Sequence, residues 1–242
     1  MATKPYLSVI IPAYNEEKRI ANTLLAIDKY LSHQNYEYEI IVVVDGAKDA
    51  TTQVVTKYLP LVKNLHLIDN KENHGKGAVV AQGMLEARGE IRLFTDADNS
   101  TSIEQVANLI PYFSQGYDVV IGSRRVKGAR IAVHQTFMRE LAGRIGNLII
   151  QILAVPFVWD TQCGFKAFSE KAAEDIFKRL TIKRFGFDVE VFAIARFHRY
   201  KIKQVPVIWI NDESSMVGAA SFVSVLMEVI KIRVNIWRGV YR

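Results

Sequence analysis

The chain has 242 residues, of which half are apolar and 23% are charged, and its formal net charge is +6. This composition excludes a disordered chain, and the length suffices for one large domain with a buried core. The positive charge indicates an anionic partner, and the single cysteine, Cys163, excludes an internal disulfide framework and agrees with a reducing compartment.

The first half of the chain alternates strand-like and helix-like segments. Continuous β-branched apolar runs predict buried strands, and apolar residues at helical spacing predict helices between them. The predicted order is strand 7–12, helix 16–32, strand 39–44, a helix from 49, strand 65–68, helix 75–88, strand 91–95, helix 102–114 and strand 118–123. This alternation is typical of an α/β fold with a largely parallel sheet.

The second half predicts fewer strands and longer helices. We expect a helix over 134–153, a break near Pro156, helices after 169 and over 187–199, and a strand over 203–210.

Two helical segments, 140–153 and 221–241, carry wide apolar faces beside a narrow polar stripe. In the second segment the polar stripe comprises Ser221, Ser224, Glu228, Lys231, Asn235 and Arg238. Wide apolar faces with basic residues and terminal Trp and Tyr suit a helix that lies on a lipid surface. The alternative is that both helices bury these faces in the core or in a homo-oligomer.

Three predicted strands end in acidic loops, with sequences PAYNEE (12–17), DGAKD (45–49) and DAD (96–98). Ligands of open α/β sheets bind beyond the carboxyl ends of the strands. Carboxylates can accept hydrogen bonds from the ribose and base of a nucleotide, but they repel a diphosphate unless a divalent cation lies between. Asp98, helped by Asp96, is therefore predicted to hold Mg²⁺ or Mn²⁺; the alternative is a simple turn with a helix cap.

An ordered set of motifs, SVIIPAYNEE, IIVVVDGAKDAT, NHGKGAVVAQGM, TDADNS and VVIGSRR, resembles the inverting glycosyltransferase family 2. The stretches DTQCGFKAFS (160–169) and FGFDVE (185–190) resemble, more narrowly, its dolichyl-phosphate glucosyltransferase branch, close kin of the mannosyltransferases. The resemblance covers about residues 6–242. It implies a GT-A fold, which is a single Rossmann-like domain whose mostly parallel sheet is flanked by helices. It also implies a nucleotide-sugar donor. We expect a catalytic domain at 1–215 and an amphipathic interface helix at 216–242.

The resemblance also implies the residues that bind the nucleoside. Pro12, Tyr14 and Glu16 match the family's first nucleotide-binding loop, and Asp45 matches the carboxylate that contacts the nucleoside. The family often reads DDGS where this chain reads VDGA, so Val44 replaces the first aspartate and base recognition is open to change. Pro12 and Tyr14 could instead be ordinary residues at a strand end.

The rest of the donor site follows from the same resemblance. Lys76, between two glycines at a helix start, is placed for an anion, although HGKG lacks the spacing of a phosphate loop. We expect Lys76 and Arg124 near the donor phosphates. The residues expected around the sugar and its diphosphate are Asp96, Ala97, Asp98, Asp160, Gln162 and Asp188.

The acceptor decides whether a general base is needed. A lipid phosphate is already largely anionic at neutral pH, whereas a hydroxyl must lose its proton to a base, for which Asp188 is the candidate. A lipid phosphate also needs basic residues near the membrane surface, which Arg139, Arg144 and Arg130 can supply. The family aligns an arginine that contacts the acceptor phosphate with Arg139; the alternative for all three is a solvated helix charge.

The favoured function is inverting transfer of glucose from UDP-glucose to dolichyl or polyprenyl phosphate. GDP-mannose as donor, a hydroxyl acceptor, and a nucleotide- or lipid-binding protein without catalysis are the alternatives. Nucleic acid is not expected, because basic and acidic residues are interleaved. Without a signal peptide or an uncharged apolar run of spanning length, we expect peripheral association with the cytoplasmic face of a membrane.

Overall fold

The structure is a computed structural model that describes residues 4–131, 146–210 and 219–242. Its strands are β1 (Leu7–Ala13), β2 (Tyr38–Asp45), β3 (Leu65–Asn70), β4 (Ile91–Thr95), β5 (Val119–Ser123), β6 (Arg130–Ile131), β7 (Phe165–Ser169), β8 (Ile202–Pro206) and β9 (Ile208–Trp209). Its helices are α1 (Ile20–Leu31), α2 (Thr51–Tyr58), α3 (Lys76–Glu86), α4 (Pro111–Ser114), α5 (146–153), α6 (Glu170–Lys178), α7 (Phe187–Phe197) and α8 (Ala219–Arg238), with a 3₁₀ helix at Ile103–Asn108.

Seven strands form one sheet in the order β3-β2-β1-β4-β7-β5-β8. All neighbours pair in parallel except β7, which runs antiparallel between β4 and β5. The predicted α/β class with a largely parallel sheet is confirmed. Among the described residues, β6 and β9 form a second, two-stranded sheet.

The core lies on both faces of the large sheet. Alternate residues of β1 point to opposite sides, so that Ile10 belongs to the apolar cluster that includes residues of α3, α6, α7 and α8, while Val9 and Ile11 belong to the cluster that includes residues of α1 and α2. Every residue of β1 and β2 is buried, which explains why both strands read as continuous apolar runs.

Two predicted elements are wrong in detail. The predicted helix 102–114 is a 3₁₀ helix followed by the short α4, which starts at Pro111, because proline is favoured in the first turn of a helix and disrupts the interior of one. The predicted strand 203–210 divides into β8 and β9, which belong to different sheets and separate just after Pro206. Proline cannot donate to a ladder and marks the break.

The predicted helix 134–153 is described only in its last part, where 146–153 is helical. Arg139 and Arg144 lie outside the described residues. The strand β7 was not predicted, because its sequence was interpreted only as part of a motif.

Helix α8 packs on α7 through one face. Val225, Val229 and Ile232 are buried, and Glu228 accepts a hydrogen bond from the backbone N–H of Gly186 just before α7. Asn235 donates to Thr181. Two members of the predicted polar stripe, Glu228 and Asn235, therefore face the protein, where each bonds a polar group. The predicted boundary at 215–216 lies outside the described residues and stays a prediction.

Part of the apolar surface of α8 stays exposed. Met227, Ile230 and Trp237 are each more than half exposed, as are Leu148 and Ile152 on α5. Among the residues that the structure describes, no helix combines the length and the apolar character needed to cross a bilayer.

Candidate nucleotide-sugar site

The acidic loops predicted from the sequence meet at one edge of the sheet. β1 pairs in parallel with both β2 and β4, so the loops that follow these three strands leave the sheet side by side. β5 runs in the same direction, since β7 is antiparallel to both β4 and β5, and Arg124 follows it at the same edge.

The loop after β1 is tied to the loop after β2. Asn15 has a φ of 56°, a left-handed conformation that asparagine tolerates, and its side-chain oxygen accepts a hydrogen bond from Lys48 N at 2.8 Å. Glu16 N donates to Thr51 Oγ1 at 2.7 Å, and the Glu16 carboxylate pairs with Arg19. Pro12 is buried inside β1, whereas Tyr14 is half-buried and accessible to a ligand.

Asp45 is buried and surrounded by hydrogen-bond donors. Its carboxylate accepts from His74 N at 2.6 Å, Gly75 N at 3.0 Å and Asn73 Nδ2 at 3.0 Å. Asp45 therefore shapes the loop that leads into α3, and its predicted contact with the nucleoside stays a prediction.

The loop after β4 carries the predicted metal ligands. Asp96 pairs with Lys76 Nζ at 2.7 Å, and its N–H donates to Gly164 O at 3.1 Å. A Cβ at Gly164 would overlap the Asp96 carboxylate, so only glycine leaves room for it. Asp98 accepts from Ser100 N at 2.9 Å, while Ala97 is buried and its carbonyl accepts from Thr23 Oγ1.

The electrostatics of this edge favour a cation. Burial, and then the charge of Asp96, raise the pKa of Asp98 above its ordinary value. Burial also raises the pKa of Glu16, and the charges of Asp98 and Asp96 add to this effect against the opposing influence of Arg19. Three carboxylates thus repel one another at the exits of β1 and β4, and a positive ligand would relieve that repulsion.

The carboxylate oxygens of Asp96 and Asp98 fit a hard divalent cation that binds together with a phosphate. Within 4–131, 146–210 and 219–242, no group of three or more His, Cys, Asp or Glu side chains is arranged to hold a metal ion. Mg²⁺ is commonly bound by one or two carboxylates together with substrate phosphates rather than by a cage of protein ligands. Asp96 and Asp98 supply such a pair.

Lys76 and Asp188 belong to a cluster of two lysines and two aspartates, in which Lys76 pairs with Asp96 and Lys166 with Asp188. Burial alone would lower the pKa of the Lys76 ammonium, but the charges of Asp96 and Asp188 outweigh it and raise that pKa. Asp188, in the first turn of α7, is hydrogen-bonded to Lys166, which is 1% exposed. Burial raises the pKa of Asp188, while Lys166 and Lys76 oppose the shift.

Arg124 is held in one orientation. Its Nε and Nη2 atoms donate to the two carboxylate oxygens of Asp160, both at 2.8 Å, and its guanidinium lies 5.0 Å from the ring centroid of Trp209. Burial raises the pKa of Asp160, but the charge and hydrogen bonds of Arg124 outweigh it and keep that pKa below its usual range. Asp160 thus orients Arg124 rather than facing an open pocket.

Most of the other predicted site residues lie near one another in the structure. Gln162 is exposed beside the buried Asp160–Arg124 pair. The structure brings Glu16, Lys76, Asp96, Asp98, Arg124, Asp160 and Asp188 into one electrostatically linked group. Arg139 lies outside the described residues.

The sequence analysis did not single out Lys166, Gly164 or Trp209. Lys166 and Gly164 lie within the quoted stretch DTQCGFKAFS, so the motif marked the segment without identifying these members. No local pattern marks Trp209, because its contact with Arg124 joins residues far apart in the chain.

The chain matches a known family over most of its length. The sequence model of the protein family described as "Glycosyl transferase family 2" matches residues 8–177.

Curated relatives extend the match to almost the whole chain. A dolichyl-phosphate beta-glucosyltransferase of Trichomonas vaginalis is 35% identical over 96% of this chain and 75% of its own length. Proteins of the same name from Dictyostelium discoideum and Homo sapiens are 33% and 32% identical, each over 98% of this chain and over 76% and 77% of their own lengths.

Solved structures share the fold. Glucosyl-3-phosphoglycerate synthase from Mycobacterium tuberculosis in complex with UDP aligns with a TM-score of 0.69 and 19% identity, covering 96% of this chain and 79% of that one. Its complex with Mn²⁺, UDP-glucose and phosphoglyceric acid aligns with a TM-score of 0.70 and 18% identity over the same shares. At this identity the likeness establishes the GT-A-type fold alone.

Proposed function

Since this chain is a glycosyltransferase that belongs to glycosyl transferase family 2, we propose that it transfers glucose from UDP-glucose to dolichyl phosphate or a related polyprenyl phosphate, with inversion and with Mg²⁺ or Mn²⁺. The observation that carries this proposal is the acidic edge of the sheet, where Glu16, Asp96 and Asp98 repel one another beside the cations Lys76 and Arg124. Such an edge suits a metal-bound diphosphate.

Different residues of this edge would bind different parts of the donor. Asp96 and Asp98 would hold the divalent cation, which when bound supplies Lewis-acid stabilisation of the departing diphosphate. Arg124, fixed by Asp160, presents a permanent positive charge to the same diphosphate, and Lys76 adds a second at the start of α3. The half-buried ring of Tyr14 is available to the nucleoside.

The surroundings of Asp188 support a phosphate acceptor. A hydroxyl acceptor needs a base, but Asp188 is only 7% exposed and its carboxylate is already bonded to Lys166. A phosphate monoester needs no base, because it is largely anionic at neutral pH. The names of the relatives support the same acceptor and favour glucose as the sugar.

The proposal includes peripheral attachment to the cytoplasmic face of a membrane. The exposed apolar side chains of α8 and α5 support it, since Met227, Trp237 and Ile152 would otherwise face water.

A transfer assay tests the proposal. Labelled UDP-glucose and GDP-mannose are offered in parallel to dolichyl phosphate, each with Mg²⁺, with Mn²⁺ or with a chelator. We expect label from UDP-glucose to enter the organic phase only with a divalent cation. Transfer from GDP-mannose alone, transfer to a hydroxyl compound without lipid, or full activity in chelator would each contradict one part of the proposal.

Replacement of Arg139 by Ala tests the acceptor contact predicted from the family resemblance. Loss of a charge-assisted contact to phosphate should raise the KM for dolichyl phosphate by roughly tenfold or more, while the affinity for UDP with Mn²⁺ stays unchanged. Arg144→Ala is the matched control, because it removes a positive charge five positions further along the chain. An unchanged KM in Arg139→Ala would assign that arginine a structural role.

A further inference from the structure

A buried lysine, Lys166, adjoins the candidate donor site and bonds Asp188, one of the residues predicted to line it. Lys166 is 1% exposed on β7, and its register partner on β4 is Phe94. The Lys166 ammonium lies 5.3 Å from the ring centroid of Phe94, 6.0 Å from that of Phe187 and 5.8 Å from that of Phe192. The faces of three aromatic rings thus stabilise a charge that is almost fully removed from water.

The hydrogen-bond partner of Lys166 is Asp188, which is also buried. A buried ion pair contributes little net stability, since the cost of removing two charges from water offsets their attraction, but loss of one partner leaves an uncompensated buried charge. The pair therefore matters more for its electrostatic effect on neighbouring charged groups than for the stability of the fold.

The neighbour concerned is Lys76. Its ammonium pairs with Asp96 at 2.7 Å and lies 5.4 Å from the ring centroid of Phe94, the same ring that Lys166 contacts. Because Asp188 is bonded to Lys166 and both ammonium groups lie over this one ring, the Asp188 carboxylate is also near Lys76, and its charge, like that of Asp96, helps to raise the pKa of Lys76. Asp188 and Asp96 therefore compete for one ammonium, and Lys166 satisfies the first of these carboxylates.

We propose that Lys166 is a positioning residue of the donor site, which neutralises Asp188 and thereby keeps the Lys76 ammonium on the Asp96 carboxylate. In this arrangement Lys76 serves as an internal counter-cation of Asp96. Asp96 would hold a divalent cation in place of Lys76, and the Lys76 ammonium would then be available to the diphosphate of the donor. The inference rests on the proposed nucleotide-sugar site.

Removal of Lys166 has opposite consequences for the two ligands. In Lys166→Met, the unpaired Asp188 attracts Lys76 away from Asp96, which leaves Asp96 free and makes the site more negative. Mn²⁺ alone should bind several-fold more tightly, and UDP with saturating Mn²⁺ should bind roughly tenfold more weakly, because the diphosphate loses an ammonium and gains a repulsive charge. A general loss of structure would instead weaken both.

Calorimetric titration with MnCl₂ alone, and with UDP at saturating Mn²⁺, measures both affinities without catalysis. Arg92→Met is the matched control, since Arg92 is a buried cation on β4 that bonds Met84 O and Glu174, apart from the donor site. We expect Arg92→Met to lower Tm and leave both affinities unchanged. The double variant Lys166→Met/Asp188→Asn removes the competing charge and should restore both affinities to within about threefold of the wild type.

Each outcome decides a separate point. If the wild type does not bind UDP with Mn²⁺, the proposed function fails. If the wild type binds but Lys166→Met matches it, or weakens both ligands alike, the role of Lys166 is refuted. The role of Lys166 is also refuted if the double variant binds UDP with Mn²⁺ as weakly as Lys166→Met does. If Lys166→Met alone does not fold while the double variant folds and binds like the wild type, the unpaired Asp188 charge is the cause, as proposed.

Discussion

The loops after β2 and β4 place carboxylates at the same edge of the sheet but use them differently. Asp45, at the end of β2, accepts hydrogen bonds from two backbone N–H groups and an asparagine side chain of the loop before α3. Asp98, after β4, is bonded to Ser100, and burial together with the charge of Asp96 raises its pKa.

The difference separates two roles that an acidic residue at a strand end can have. A carboxylate whose oxygens are satisfied by its own chain shapes a loop and offers little to a ligand. A carboxylate that faces like charges gains by meeting a cation. Substitutions in the two loops should therefore separate stability from activity.

The largest expected effect is that of Asp98→Ala. Loss of a metal ligand should reduce glucosyl transfer by roughly 10²–10³-fold or more, since electrostatic stabilisation of the leaving group depends on it. Tm should change little, because relief of the repulsion between carboxylates offsets the loss of the hydrogen bond from Ser100 N. The transfer assay and thermal unfolding measure the two quantities, and near-normal turnover would remove the metal assignment.

Asp45→Ala should show the reverse pattern. The amides of His74 and Gly75 lose their acceptor, which should lower the free energy of unfolding by about 2–4 kcal/mol. Transfer should fall less than in Asp98→Ala, through poorer placement of Lys76. Denaturation with urea measures the loss. Wild-type stability with weaker UDP binding would instead mean that Asp45 contacts the nucleoside directly, and the contrast between the loops would be lost.

Asn73→Ala is the smallest change and refines the contrast. The exposed Asn73 side chain donates to the carbonyl and the carboxylate of Asp45. Its loss should lower the free energy of unfolding by about 0.5–1.5 kcal/mol, the usual contribution of such hydrogen bonds. Transfer should change less than about threefold, since the backbone amides still hold Asp45. A loss of stability equal to that of Asp45→Ala would show that the side chain, and not the amides, fixes this loop.

The parallel sheet and its acidic edge could be predicted because their signals are local. Buried strands read as apolar runs, and parallel neighbours bring their carboxyl ends to one edge. The antiparallel β7 could not be predicted in this way, since a strand between β4 and β5 need only be buried, and its short sequence carries no sign of direction. The protein contacts of Glu228 and Asn235 on α8 also needed the structure, because a polar stripe in the sequence does not say which groups its members bond.

The sequence by itself determined the fold class, the family and the edge of the sheet where the acidic residues gather. Only the tertiary structure decided the partner of each charge: Asp160 for Arg124, Asp96 for Lys76 and Asp188 for Lys166. These pairs join residues 20 to 36 positions apart. The reason is physical, since periodicity follows from the local geometry of the backbone, whereas an ion pair depends on how separate elements pack.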